Sequence, residues 1–345
     1  MVIAVDIKGS EAYQNFIHEI FKRITAQQPK HTFIFIFDQP FDLSLVFSEN
    51  VIPIIVTKTK AFLLSQLWAD HKISSLLKQY KAVVYVTSRI LSRTKVPQCL
   101  IAFDSSPAKS LKKAKLIIAD SAFSKKEITE KYKINSDKIC IVYKGVEGIF
   151  KPLLFEEKEI IKEQYSDGNE YFLVTGFFQS KNNLLDLLKA FSAFKKRQKS
   201  NMQLLIITQG VIAEEILEEL RLFKFKGDVK ILQNIDNTEL ARIIAAAYAF
   251  ISPFAKDGYS QILESMKCDL PVIASNLGAI PEVASQAALY VSSNDHKVIA
   301  DKMMLIYKDE KLRQQLIEKG REQVNKYAWE NTANSFWKCI EKACW

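Results

Sequence analysis

DGYSQILESMKCDLPVIASN, residues 257–276, carries a turn, a helix start and a strand in close succession. Asp257-Gly258-Tyr259-Ser260 reads as a turn, because glycine enters left-handed backbone without a steric cost. A helix start follows and carries Glu264. Pro271 then precedes Val272 to Ala274, a short apolar run of the kind that forms a buried strand. Outward from this stretch the same rhythm continues. Ala288 to Val291 is the next strand. Upstream lie the strands Tyr171 to Thr175, Gln203 to Thr208 and Val229 to Leu232. Between them, Asn183 to Phe194 places Leu184, Leu187, Leu188, Phe191 and Phe194 on one helical face. Asp236-Asn237-Thr238-Glu239 reads as a helix start, with Asp236 as N-cap and Glu239 three residues on.

The first half repeats the pattern. Val2 to Val5, Thr32 to Phe37, Ile52 to Val56, Val83 to Val86, Leu116 to Ala119 and Ile139 to Val142 are short runs bounded by polar or turn residues. Runs apolar on both faces suit a parallel sheet covered by helices on both sides. Glu11 to Ala26, with Phe16, Ile17, Ile20, Phe21 and Ile24 at helical spacing, makes the opening a βαβ unit. Lys144 to Pro152 holds two glycines and a proline, after which the rhythm restarts, so a domain boundary is expected there. The expected division is 1–150, 151–328 and a terminal helix over 329–345. That helix carries Trp329, Ala333, Phe336, Trp337 and Ile340 on one stripe. Docking on the second domain or crossing back to the first would equally account for it.

Length and composition narrow the class. The 345 residues suffice for two domains, each with its own core, and 48% hydrophobic with 25% charged residues is a globular composition. No apolar run reaches the roughly 18 residues of a bilayer span. The N-terminus reads as a strand and not as a signal peptide. The cysteines 99, 140, 268, 339 and 344 show no CxxC spacing, which argues against zinc or a disulfide framework and for a reducing cytoplasm. The formal charge of +9 suits a nucleic acid, an anionic lipid or a polyphosphate partner, or lysines on solvated helix faces. No RNA-module signature accompanies it, so nucleic acid is not an expected partner. Basic and apolar residues alternate over 105–115 and 57–81. Peripheral contact with the inner face of a membrane and an ordinary amphipathic helix both fit them. Neither GxGxxG after the first strand nor GxxxxGK[ST] occurs, so phosphate would be held by another route.

Seven segments form an ordered series: Ala119 to Lys125, Lys138 to Val146, Gly176 to Asn183, Val229 to Leu240, Asp257 to Asn276, Gly278 to Val283, and Ala287 to Val291. From about Lys115 onward this series resembles the retaining family 4 glycosyltransferases of GT-B fold. The resemblance implies an α/β chain with two Rossmann-like domains facing a cleft. The second domain would hold a nucleotide-diphosphate sugar, and a glycan or lipid-linked acceptor would enter from the first. Glu264 would then accept hydrogen bonds from the ribose hydroxyls and Asp257 would meet the donor sugar. Lys181 and Asn182 would lie at the diphosphate, and the backbone near Asn234 and Ile235 at the base. Gly258, Tyr259 and Ser260 would offer backbone amides next to a helix N-terminus. The leaving group is a nucleoside diphosphate, so catalysis would rest on stabilising phosphate charge. No cofactor beyond the donor and no metal is demanded, since no Asp-x-Asp text is present.

The chain departs from the family pattern at several of these positions. Phe177 stands where an arginine is usual, and Asn182 takes the place of a lysine, with Lys181 one position earlier. Asp257 and Glu264 are separated by six residues instead of seven. In the first domain, the position of a histidine near the reacting sugar falls at Ala102-Phe103-Asp104. There Asp104 either faces the cleft or caps Ser105-Ser106-Pro107. Two readings follow: a retaining glycosyltransferase with Asp257, Glu264 and Asp104 as catalytic residues, or a GT-B-shaped partner protein whose donor site has decayed. Sugar-nucleotide epimerisation is a third reading, without a matching set of acids and histidines.

Overall fold

The computed structural model of the chain describes every residue outside 9–10, 42–45, 47, 58–64, 104–106, 177–180, 209–213, 255–257, 293–294 and 345. At 11–12, 65–67, 181–182 and 215–216 it describes the backbone alone. The chain forms two compact units, Met1–Gly145 with Ala328–Trp345, and Val146–Tyr327.

In the first unit seven strands lie parallel in the order β3-β2-β1-β4-β5-β6-β7. They are β1 (Val2–Asp6), β2 (Thr32–Phe37), β3 (Val51–Ile55), β4 (Val84–Thr87), β5 (Gln98–Ile101), β6 (Leu116–Ala119) and β7 (Ile139–Ile141). Burial on both faces explains why β1, β2 and β6 are almost wholly apolar. Helices α2 (Ser65–Gln79), α3 (Ala108–Lys113) and α4 (Ala122–Tyr132) contribute to the cores on one face. The other face is covered by α1 (Glu11–Gln27) and by the terminal helix α13 (Trp329–Cys344).

The apolar stripe of α13 therefore belongs to the first unit. Phe336 is fully buried, with its ring centroid 5.7 Å from that of Phe21 and 6.1 Å from that of Phe16. Trp337 stacks on His31 at 5.2 Å. At the rim, Arg23 Nε donates to Glu330 Oε1 over 2.9 Å.

The first turn of α13 also explains Gly145. A Cβ there would stand 2.5 Å from Trp329 Cδ2 and 2.9 Å from the Trp329 Cα, closer than carbon atoms can approach. Gly145→Ala is expected to cost about 1–3 kcal/mol by overpacking, read as a lower urea midpoint. Gly148→Ala is the control, because its Cβ meets nothing within 4 Å. A Gly145→Ala midpoint equal to that control would refute the packing account.

The second unit has six parallel strands in the order β10-β9-β8-β11-β12-β13. They are β8 (Tyr171–Thr175), β9 (Gln203–Thr208), β10 (Val229–Gln233), β11 (Ala249–Ser252), β12 (Val272–Ser275) and β13 (Ala288–Val291). Its helices are α5 (Phe155–Ser166), α6 (Lys181–Gln198), α7 (Glu214–Leu222), α8 (Asn237–Ala246), α9 (Ser260–Lys267), α10 (Ile280–Ala284), α11 (His296–Lys308) and α12 (Glu310–Val324). The predicted face of α6 is buried at Leu184, Leu187, Leu188, Phe191 and Phe194. At the start of α8, Asp236 Oδ1 accepts from the Glu239 amide at 3.0 Å, as the N-cap pattern predicts. The Glu239 carboxylate accepts instead from Tyr165 Oη and from Arg242 Nη1, each at 2.9 Å.

Two strands, β5 and β11, are absent from the sequence-based expectation. Both are four residues long and lie inside their sheets. The position of β11 decides where the candidate site lies.

Candidate functional site

The second sheet is laid down from β8 outward to β10, and the chain then returns to place β11 on the other side of β8. Where the winding reverses lies the switch point of the sheet, and open α/β sheets bind ligands in the crevice outside the carboxyl ends of the strands at such a point. Gly176 leaves β8 with φ +127°, outside the range open to other residues, while its amide donates to the Ile207 carbonyl at 3.1 Å. The chain then enters α6, so Lys181 and Asn182 stand in the first turn of that helix.

On the other side, the segment after β11 reaches Gly258, exposed and at φ +89°. Tyr259 follows, buried as the N-cap of α9, and Ser260 is the first helical residue. The first turn of any helix holds N–H groups without intrahelical acceptors, and it favours negative charge. Gly176 and Gly258, each shortly before the first turn of a helix, thus lie on the two sides of the switch point.

Glu264 lies one helical turn beyond Ser260, on the same side of α9. Burial, and then the nearby Glu147 carboxylate, push its pKa up to about 7. Burial followed by Glu264 itself pushes Cys268, the C-cap of α9, up to about 12. A carboxyl group poised near neutrality binds best to whatever stabilises its charged form, such as a pair of donating hydroxyls. Glu147 was not a candidate from sequence. It lies in the expected boundary segment, and only the fold brings it near α9.

Ile235, half-buried, follows Asn234, which takes φ +55° at the end of β10. Strand β10 is two places from β8, or about 10 Å across the sheet at the usual strand spacing. Asp257, Asp104 and Phe177 lie outside the described residues. A groove of about 550 Å³ between α6, α7 and α11, lined by Leu188, Lys196, Phe223, Lys224 and Lys297, involves none of the candidate residues.

Comparison with solved structures decides the fold. A glycosyltransferase from Rickettsia africae superposes with a TM-score of 0.80 at 19% identity, covering 99% of this chain and 98% of that one. The fold is GT-B. HepE of Anabaena, solved in complex with UDP, shares this GT-B arrangement with a TM-score of 0.75 at 12% identity, covering 99% of each chain. Residues 155–323 match the family model described as Glycosyl transferases group 1. That segment contains the β8–β11 crevice, Glu264 and Ile235. The chain is also 26% identical over 231 residues to the O-antigen chain mannosyltransferase B of Escherichia coli. The match takes in 66% of this GT-B chain and 61% of the relative's length. No described helix is long and apolar enough to cross a membrane.

Proposed function

We propose that the chain is a glycosyltransferase that moves mannose from a nucleoside-diphosphate donor to a glycan hydroxyl with retention of configuration. One observation carries this reading. Gly176, Gly258 and the α9 helix that carries Glu264 follow the two strands of the switch point, inside the segment that matches the group 1 glycosyl transferases. Mannose is taken from the named activity of the Escherichia coli relative, and the nucleoside diphosphate from the UDP complex of the Anabaena neighbour.

In this reading the first turns of α6 and α9 face the diphosphate, with Lys181 as its cation and Gly258, Tyr259 and Ser260 as backbone donors. Glu264 accepts from the ribose hydroxyls, and the backbone at Ile235 meets the base. The separation of β10 from β8 matches the distance between a base and its diphosphate. Asp257 meets the sugar, and Asp104 serves on the acceptor side. As the bond from the anomeric carbon to the diphosphate oxygen breaks, negative charge grows on the phosphate. Fixed donors there are worth about 2–4 kcal/mol each in the transition state. The acceptor oxygen bonds on the face the diphosphate leaves, and its proton departs with the phosphate.

The test is a thermal melt with UDP, GDP and ADP, followed by turnover of the matching mannose donor. A ligand at about 100 times its Kd adds roughly 2.7 kcal/mol to the folded state. One base raising the melting point, and an α-linked product from an α-linked donor, would support the reading. No response to any nucleoside diphosphate would overturn it.

A further inference from the structure

Four of the five cysteines, scattered in sequence, gather around one core of the first unit. Cys99 on β5 and Cys339 on α13 are buried in the same apolar core of the first unit, and Cys140 on β7 and Cys344 on α13 pack against it from its edge. All are free thiols. Within this group Cys140 and Cys339 touch. The Cys339 thiol donates to the Ser335 carbonyl at 3.1 Å, and its sulfur lies beside Cys140 where β7 packs against this core.

The surroundings of Cys140 differ from those of the other three. It is half-buried, and two ammonium groups are anchored beside it by the backbone. Lys125 Nζ donates to the Ile139 carbonyl at 2.9 Å, one residue away. Lys342 Nζ donates to the Asp137 carbonyl at 2.6 Å, three residues away. The hydrogen bond from Cys339, followed by Lys342 and Lys125, outweighs burial and lowers the Cys140 pKa. Burial raises that of Cys99, and the hydrogen bond to Cys140, followed by burial, raises that of Cys339. An accessible thiolate beside a protonated resolving thiol is the arrangement that peroxide oxidises selectively.

We propose that Cys140 and Cys339 form a peroxide-oxidisable dithiol whose disulfide pins the terminal helix α13 to strand β7. In the first step the Cys140 thiolate attacks one oxygen of hydrogen peroxide, giving a sulfenic acid and releasing hydroxide. In the second the Cys339 sulfur attacks the Cys140 sulfur and expels water. Two thiols and one peroxide become one disulfide and two waters, with peroxide as the two-electron acceptor. The bond joins residues that enclose the whole second unit in one loop, so it restricts the unfolded chain strongly. Oxidation thereby adds a covalent tie between α13 and β7 to the packing of α13 and its contacts through Glu330 and Lys342.

The full chain, reduced and freed of reductant, is treated with hydrogen peroxide, quenched in acid, alkylated and mapped by mass spectrometry. The expected result is a loss of about 2 Da, two alkylatable thiols fewer, and one cross-linked peptide pair containing Cys140 and Cys339, reversed by dithiothreitol. Oxidised protein should melt higher and release α13 to protease more slowly. Cys140→Ser, at a half-buried edge position, should abolish the cross-link, whereas Cys344→Ser should leave it intact. In Cys339→Ala, Cys140 should accumulate as a sulfenic acid that dimedone traps, a readout that needs no disulfide. Full alkylation of every cysteine after peroxide, a cross-link through Cys99 or Cys344, or one between chains would overturn the proposal.

Discussion

Glu264→Gln is expected to weaken nucleoside diphosphate binding by roughly 10- to 100-fold while making the unliganded protein more stable above neutral pH. The first effect is the loss of hydrogen bonds to a charged acceptor, worth about 1.5–3 kcal/mol. The second follows from the environment of the carboxyl group. Its pKa is about 7 in the folded chain, against the ordinary 4.5 of glutamate, because the half-buried carboxyl is largely desolvated and lies near the Glu147 charge. The folded state therefore holds this proton more tightly than the unfolded state does. Its contribution to stability is fully present below about pH 4.5 and is lost as pH rises through about 7. That difference corresponds to about 3 kcal/mol, which Gln, neutral at every pH, does not lose.

Binding carries the opposite pH dependence. If, as proposed, ribose hydroxyls donate to the carboxylate, affinity should rise between pH 6 and pH 8 in the native chain and stay flat in Glu264→Gln. Calorimetric titration at the two pH values, with urea unfolding of both proteins, separates the effects. Unchanged affinity in Glu264→Gln would remove this residue from the donor site, whatever the stability data showed.

Phe336→Ala is expected to lower stability by about 3–5 kcal/mol, the cost of removing a fully buried phenylalanine from a packed core. Phe336 holds α13 against α1 through Phe16 and Phe21. The loss should appear as an early unfolding transition of the first unit in urea, with helix loss seen by circular dichroism. Phe336→Leu, which keeps most of the apolar volume, should cost less than about 1.5 kcal/mol. Phe155→Ala is the matched control: the same chemistry at a ring 72% exposed should stay within about 0.5 kcal/mol. A Phe336→Ala midpoint equal to that of Phe155→Ala would show that α13 contributes no packing energy.

The long signals were legible in the sequence. Six-residue runs such as Thr32–Phe37 and Gln203–Thr208 and the stripe of α6 declare their element type through residue pattern alone. Strand β11 does not. It follows Ile243 to Ala247 with no glycine or proline between, so helix α8 and the strand read as one apolar stretch. Strand β5 is hidden for a different reason: it opens with Gln98, a polar residue in a buried strand. Its side-chain amide donates to the Leu91 carbonyl at 3.1 Å and accepts from the Leu91 amide at 2.7 Å, partners that exist only in the folded chain.

The candidate site divides along the same line. Gly258 and the helix start at Ser260 could be read from residue types, because a left-handed turn and a helix N-terminus are local properties. That the turn at 258 stands across from the turn at 176 depends on β11 lying beside β8, a pairing between residues more than seventy positions apart.

By itself the sequence determined the α/β rhythm and most of the strands and helices of the second unit, since each depends on residues close together in the chain. Tertiary structure alone decided the sheet order that sets the switch point, the docking of α13 on the first unit, the raised pKa of Glu264 near Glu147, and the proximity of Cys140 to Cys339. Each of these depends on burial, field or proximity between residues distant in sequence, and no local pattern of side chains encodes such distances.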